Sequence, residues 1–536
     1  MSAQNLYAAL GTKKTPCRIL FLMTLALYVV AIPFSKFMMS LAGVILVANW
    51  FLEGFLEKNL WKKVTHAAQS KMLWVILLVY FVHLLWFLST ENFTYAFKDI
   101  WLKVPLFFIP IIFYTSKPLN RDEMTALLQM YVLGVVFSSL FGYFTWLHHA
   151  GDKRTMAVYI SYVRFELNIC FAVFVSVYLL LQQNRRKYIR VFTVFALVWF
   201  LFLLVFAGLM TGIVLLIVIS FLLVIRAAVT EKNPLIRYLL PAVFTLALGG
   251  ISSVIYIFVK NYQTAPPFDS TKVEYTADGN AYLSDFNTDC IENGNYVYAY
   301  FCESELQQAW NNRSQKDYSE VHKTLVRYLN SKGLRKDRLA VESLTGKEIG
   351  WIENGIANIG YTRKFSIVRR MYELLWEIND YRQTGTMVGY SFAQRLELWK
   401  ISLSAIKRHP LLGTGTGDVR AAFAQELITK GSPLAFTNKR SHNQCFTFLI
   451  AFGIVGLGLI LFSIFYPVIV FGKLKDPLFL IFFTIVILSL FTEDTLEQQD
   501  GVTFFAFFYS SFLFLFPKRE LSIENSIFAN NKYLNE

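Results

Sequence analysis

The sequence predicts an all-α polytopic membrane protein with about twelve transmembrane helices and one large hydrophilic insertion. Three observations predict it. Of 536 residues, 55% are hydrophobic and only 16% charged, with a mean hydropathy of +0.44, a balance foreign to ordinary soluble chains. The apolar residues gather in repeated runs of about 17–25, each enough to cross a hydrocarbon core about 30 Å thick. The runs are apolar throughout, whereas a barrel strand alternates over about 10 residues.

The expected spans are 18–34, 37–54, 72–90, 100–115, 125–147, 165–182, 188–205, 208–226, 238–259, 452–472, 476–492 and 501–516. The pair near 188–226 is almost continuous and breaks only at AGLMTG, which predicts a tight hairpin. Residues 1–17 are polar, carry Lys13 and Lys14, and lead into a run with no small-x-small cleavage site, so the first helix is expected to be retained. The organisation that follows is a membrane domain at 1–259, an insertion at 260–440, membrane helices at 441–516 and a tail at 517–536. The insertion contains mixed-charge helical text, SEVHKTLVRYLNSKGL and SIVRRMYELLWEINDY, which predicts a small helical subdomain on the membrane surface.

The net charge of +14 raises the question of nucleic acid, and its placement answers it. Lys62, Lys63 and Lys71 share one short loop, Arg185, Arg186, Lys187 and Arg190 another, and Arg226, Lys232 and Arg237 a third; Lys473, Lys475, Lys518 and Arg519 follow later spans. Short basic loops on alternate sides are the mark of cytoplasmic loops. Both termini are therefore expected in the cytoplasm and the insertion on the opposite face, and no nucleic-acid partner is expected.

Cys17, Cys170 and Cys445 are isolated in or near spans and read as packing residues. Cys290 and Cys302 flank the turn text CIENGNYVYAYFC within the insertion. In an oxidising compartment they are expected to close a small loop as a disulfide, and not to bind metal, because no histidine or second cysteine pair accompanies them.

The chemistry concentrates between Arg395 and Gly456. RLELWKISLSAIKRH is two-faced, with Leu396, Trp399, Leu403 and Ile406 on one side, as for a helix lying at an interface; Arg395 and Arg408 mark its ends. Pro410 stops it, and Gly413, Gly415 and Gly417 give a turn that serves either as an ordinary connection or, through exposed amides, as a phosphate cradle. Ser441 and Gln444 have capping-box spacing, which puts His442 in the first turn of the next span. That helix end attracts anions, and a histidine there suits general-base work. Arg164, with Glu166 two positions on, enters another span, where charge faces a polar cavity or an internal partner. Glu493, Asp494, Glu497 and Asp500 crowd FTEDTLEQQDG, which reads as a solvated acidic turn, the rim of an acceptor site or a cation site; without the ordered spacing of a calcium loop no metal is assigned.

Taken together, R-x3-W-K from Arg395 to Lys400, HPLLGTGTGD, the His-Asn pair and FGIVGLGLILF entering a span resemble the O-antigen ligase and polymerase superfamily of bacterial inner membranes. The resemblance implies a GT-C-like, metal-independent glycosyltransferase without cofactors. It implies transfer of a glycan from undecaprenyl pyrophosphate to an acceptor at the periplasmic face: lipid A–core, protein or a growing glycan. It makes His442 the base that activates the acceptor hydroxyl and Arg395 a ligand of the donor pyrophosphate. Arg164, Asn443, Gly413, Gly415 and Gly417 complete the candidate substrate-binding set. Many members carry a Ser-Arg pair in a middle span; FAGLMTG has no arginine, and Arg164 is the candidate to supply that charge. Ligase and polymerase are poorly separated by sequence. A transporter of lipid-linked glycan is the reading from another class; it fits twelve spans but not the off-centre insertion or the absence of matching discontinuous halves.

Overall fold

The computed structural model describes residues 15–149, 153–182, 186–267, 273–284, 290–363, 366–385, 387, 389–437 and 439–516. Lys13, Lys14, Arg185 and the expected tail at 517–536, with Lys518 and Arg519, lie outside the described residues. The chain forms two units: residues up to Leu204, Thr211–Ile219 and everything from Glu397 make the first, and Val205–Met210 with Ser220–Leu396 the second. The stretch read as a 260–440 insertion is thus divided at residue 396.

Eight described helices are long and apolar enough to cross a membrane: Lys36–Leu56, Lys71–Ser89, Arg121–His148, Tyr162–Leu181, Lys187–Phe206, Met210–Thr230, Pro234–Gln263 and Gln444–Val470. The other four expected spans fold as shorter pieces. Pro16–Ala31 and Pro477–Thr492 are apolar but short, and the last run is Gln499–Ser510 followed by a wider turn at Ser511–Leu515. The run at 100–115 is not one helix. Phe93–Leu102 ends, and Pro105–Thr115 restarts with proline at its first position, where a missing amide costs nothing. Lys103 falls in the break, fully buried.

In the first unit, helix Gln444–Val470 is interrupted at Gly453, whose φ of 62° and ψ of −167° belong to a region open essentially to glycine alone. A continuous helix would join the Ile454 and Val455 amides to the Ile450 and Ala451 carbonyls. All four groups bond instead to the segment after Pro410. Ile454 and Val455 donate to the Pro410 and Leu411 carbonyls at 2.9 and 3.2 Å, while Thr414 and Gly415 donate to Ile450 and Ala451, each at 2.9 Å. In an apolar run this repair is obligatory, because lipid offers the backbone no partner. It also requires contact between main chains: a Cβ on Gly413 would meet the Ala451 carbonyl at 2.4 Å, and one on Gly453 the Leu411 oxygen at 2.2 Å.

Helix Ser391–Arg408 buries Leu398, Ile401 and Ala405 against Phe423 and Leu427 of helix Val419–Thr429 and against Ile450. The expected apolar face was displaced by one position, and Leu403 is exposed. Three-and-four spacing fits both stripes, and what decides is the partner: the helix packs on protein. Arg408 bonds the buried Glu426 at 2.7 Å, as does Ser404 at 2.5 Å.

The second unit contains helix Pro234–Gln263 and a helical body cored by Trp310, Leu325, Leu329, Val341, Ile352 and Trp376. Arg327 stacks on Trp376 at 3.3 Å and grips Glu292 through two bonds of 2.8 and 3.0 Å. A hairpin pairs Ile291–Glu292 with Asn295–Tyr296. This hairpin overturns the expected disulfide. Its register sets Val297 opposite Cys290, through Val297 N to Cys290 O at 2.9 Å, while the Cys302 amide bonds Lys336. Both cysteines are buried free thiols.

Helix Gly346–Glu353 opens with a capping box between Thr345 and Glu348. Burial acts to raise the Glu348 carboxyl, but Lys332 at 2.7 Å and the Thr345 amide and hydroxyl outweigh it and hold it down to about 2. The stabilisation is therefore complete above the ordinary value of 4.5 and is lost as pH falls towards 2. Hydrogen exchange on the full-length protein is expected to show this helix opening more readily at pH 3 than at pH 6, and Glu348→Gln to flatten the difference. Gly453→Ala is expected to destabilise the first unit by about 3 kcal/mol, read as a lowered thermal midpoint.

Candidate functional site

The site is built where the start of helix Gln444–Val470 meets the loop after helix Pro477–Thr492. The helix cap is Asn443, whose Oδ1 accepts from the Phe446 amide at 3.2 Å. The expected capping box is absent: Ser441 stands outside the helix, and His442 is not in its first turn. Its φ of 49° is a left-handed conformation, sparse for any side chain but glycine. That backbone turns its imidazole out of the helix row to Glu493, with Nδ1 3.1 Å from Oε2. The ring is about one-third exposed and the carboxylate largely covered, at 34% and 14%. A carboxylate only accepts, so Nδ1 is the donor in this bond, the ring is fixed in orientation, and Nε2 is the nitrogen that Glu493 does not engage.

The loop behind this pair is buried rather than solvated. Asp494 Oδ1 accepts from Thr447 at 2.6 Å and Ser441 at 3.2 Å, and burial pushes its carboxyl above the ordinary value. Gln444 accepts from the Leu496 amide at 2.7 Å and donates to Glu497 at 3.2 Å. Glu497 lies 3.2 Å from Lys103 and 3.7 Å from Arg440. Burial works to raise Glu497, but the nearby positive groups, Lys103 foremost, together with the Gln444 bond overcome it and hold the carboxyl below its ordinary value. Lys103 is shared with Asp99 one turn earlier, so a wholly buried ammonium sits between two carboxylates. The acidic text is thus a hub, read as surface because its charges are dense. Lys103 inside FKDIWLKVPLFF was the available signal, since an unscreened charge in an apolar run calls for partners.

The remaining candidates separate. Arg164 is buried in the first unit, donates to the Asp494 carbonyl at 2.8 Å and lies 4.0 Å from Asp500, so its partner is the loop itself. Glu166 does not pair with it; its Oε2 accepts from Gly212 at 3.0 Å, capping helix Met210–Thr230 at the AGLMTG break. Asn443 is engaged at both ends of its amide, by Phe446 and by the Phe491 carbonyl at 3.2 Å. Gly413, Gly415 and Gly417 do not offer a phosphate cradle: their amides donate to His409, Ala451 and Thr90. Asp418 closes the turn by accepting from Thr90, Glu91 and Asn92. Arg395 belongs to the second unit, half-buried near the start of helix Ser391–Arg408. Among the described residues no three His, Cys, Asp or Glu side chains converge as a metal site would.

An apolar cavity of about 970 Å³ lies in the same unit between helix Lys36–Leu56 and the two helices of 93–115. Gly43, Val47, Ala48, Trp101 and Phe108 line it, with Lys98 and Gln499 among its few polar residues.

Residues 355–461 match the family model described as O-antigen ligase. The match spans Arg395, the glycine turn, His442 and Gly453. No curated protein matches the chain.

Removing the buried cation of the hub tests its weight. Lys103→Met leaves buried Asp99 facing Glu497 with only Arg440, 3.7 Å from Glu497, to offset their charge, and is expected to cost about 3–5 kcal/mol, measured by thermal unfolding in detergent.

Proposed function

We propose that this chain, a member of the O-antigen ligase superfamily through residues 355–461, is a membrane glycosyltransferase. It moves a glycan from undecaprenyl pyrophosphate to an acceptor hydroxyl at the periplasmic face of a bacterial inner membrane. The observation that carries the reading is the His442–Glu493 pair, a base with a carboxylate fixing its tautomer. The acceptor oxygen attacks the anomeric carbon as its proton passes to Nε2 of His442; the bond to the pyrophosphate oxygen breaks, and the lipid pyrophosphate leaves with the electron pair. One displacement inverts the anomeric centre and needs no glycosyl-enzyme.

Such a reaction asks little of the nucleophile and much of whatever stabilises the leaving anion, a task suited to guanidinium groups. The role of Arg395 there rests on its R-x3-W-K text. The apolar cavity beside Gly43 and Val47 supports a lipid-linked donor, since an isoprenoid chain needs an apolar channel. Arg164, bound to the loop, acts in this reading by holding the segment that carries Glu493, not by touching the donor.

In a deletion strain, His442→Ala is expected to lower transfer by about 10²–10⁴-fold. Surface acceptors would then run bare on gels while lipid-linked polymer accumulates. Acceptors capped with a single repeat would identify a polymerase instead, and full activity in His442→Ala would remove the base assigned here. Glu493→Gln keeps size and shape but loses the charge, and is expected to lower kcat about tenfold or more with little change in KM for donor. Val47→Trp fills the cavity, and the expected result is the reverse: a raised KM for the lipid donor at nearly constant kcat.

A further inference from the structure

Helix Leu60–Gln69 of the first unit takes no part in the reaction derived above. It joins two helices long and apolar enough to span, Lys36–Leu56 and Lys71–Ser89. Residues 57–59 separate it from the first, and Ser70 alone from the second, which that serine caps by accepting from the Leu73 amide at 3.2 Å. The turn into it is tight. Lys58 has a left-handed φ of 52°, the Asn59 amide reaches back to the Gly54 carbonyl at 3.0 Å, and a Cβ on Gly54 would meet the Leu60 side chain at 2.8 Å. Trp74 Nε1 holds the other end by donating to the Ala68 carbonyl at 2.8 Å. Ten residues make about 15 Å of helix, too short to cross a bilayer. With both ends tied to spans at one membrane face, the helix lies along that face.

Three arcs run along it. Lys63 and Ala67 are buried, Lys63 bonded to Glu53 at 2.9 Å and Ala67 packed with Leu73 and Leu77. Trp61, Val64 and Ala68, spaced i, i+3 and i+7, form an exposed apolar arc, and Trp61 is 77% exposed. Phe55 and Leu56, exposed on the last turn of the preceding span, extend it. Lys62, His66 and Gln69 form the polar arc. Around this helix the chain carries exposed ammonium groups at Lys58, Lys62 and Lys71 and an exposed carboxylate at Glu57, which accepts from Asn59 at 2.9 Å. An indole settles at the boundary between water and hydrocarbon, and an amphipathic helix bearing lysines is drawn to anionic headgroups there. We infer that helix Leu60–Gln69 is an anchor for anionic phospholipid, with Trp61, Val64, Phe55 and Leu56 among the upper acyl chains and Lys58, Lys62 and Lys71 on headgroup phosphates. A lipid held there braces the two spans that the helix joins. Nothing in this assignment depends on glycosyl transfer.

The test uses the full-length protein. In detergent, phosphatidylglycerol is expected to raise the thermal midpoint of the wild type at concentrations where phosphatidylcholine does not. Lys58→Gln combined with Lys62→Gln alters two exposed side chains and is expected to leave the lipid-free midpoint unchanged, while needing at least about tenfold more phosphatidylglycerol for the same rise. Lys62→Arg keeps the charge and is expected to behave as the wild type. In vesicles, lipids brominated near the top of the acyl chains are expected to quench the Trp61 indole, so that Trp61→Phe loses part of the quenched emission. An equal response of wild type and double variant to phosphatidylglycerol, or an equal rise with phosphatidylcholine, overturns the anionic site. Unchanged quenched emission in Trp61→Phe puts the indole outside the bilayer, overturns the anchor and gives this face to a soluble partner.

Discussion

The repair of a broken helix governs this molecule. Gly453 interrupts an apolar run, and four backbone groups that a helix would satisfy internally turn to the chain between Pro410 and Gly415. Their cost if left unmet in lipid is several kcal/mol each, so the glycine-rich turn and the helix are one element made from two stretches of sequence. The rest of the site is suspended from that element. The turn fixes Asp418 against residues 90–92, and those residues lead into the helix that presents Tyr95 and Asp99. The helix start presents Asn443 and, just outside its cap, His442.

The loop at 493–500 completes the arrangement from a third direction. Each of its four carboxylates has a separate occupation: Glu493 on the imidazole, Asp494 on two hydroxyls, Glu497 on Lys103 and Gln444, Asp500 on the Ser161 amide. Arg164 then takes the Asp494 carbonyl. A loop so thoroughly bound holds its carboxylates, and through Glu493 the His442 ring, in one fixed arrangement. The left-handed backbone of His442 is tolerable for the same reason: surrounding bonds at Ser441 and Asn443 fix the chain on both sides of it.

How much of this was legible in the sequence depends on how far the deciding partner lay. The apolar runs announce helices because apolarity is a property of the run alone, and eight of them among the described residues are long enough to span; the breaks at Lys103 and Gly453 and the shorter helices at Pro16–Ala31, Pro477–Thr492 and Gln499–Ser510 depart from the expectation. The text from Arg395 to Gly456 falls within the stretch that matches the family model, and it contains His442, which the structure pairs with Glu493. What failed was every statement needing a distant partner. Capping-box spacing at Ser441 and Gln444 is a local signal, and it lost to Asp494 and Leu496, which claim those two side chains from some fifty residues away. The glycine amides looked free for phosphate because nothing nearby in sequence accepts them. The apolar face of the 391–408 helix was read one position off because it packs on protein. Cys290 and Cys302 have disulfide spacing, but the hairpin register chose Val297 as the opposite residue.

The order in which these parts are synthesised has a consequence of its own. His442 leaves the ribosome 51 residues before Glu493, and the apolar helix Pro477–Thr492 is made between them. A nascent chain already carries the imidazole and the arginines of its neighbourhood, yet lacks the carboxylate that orients the ring. The pair assembles only after the penultimate hydrophobic helix has been made, so an incomplete chain holds its imidazole without the group that orients it.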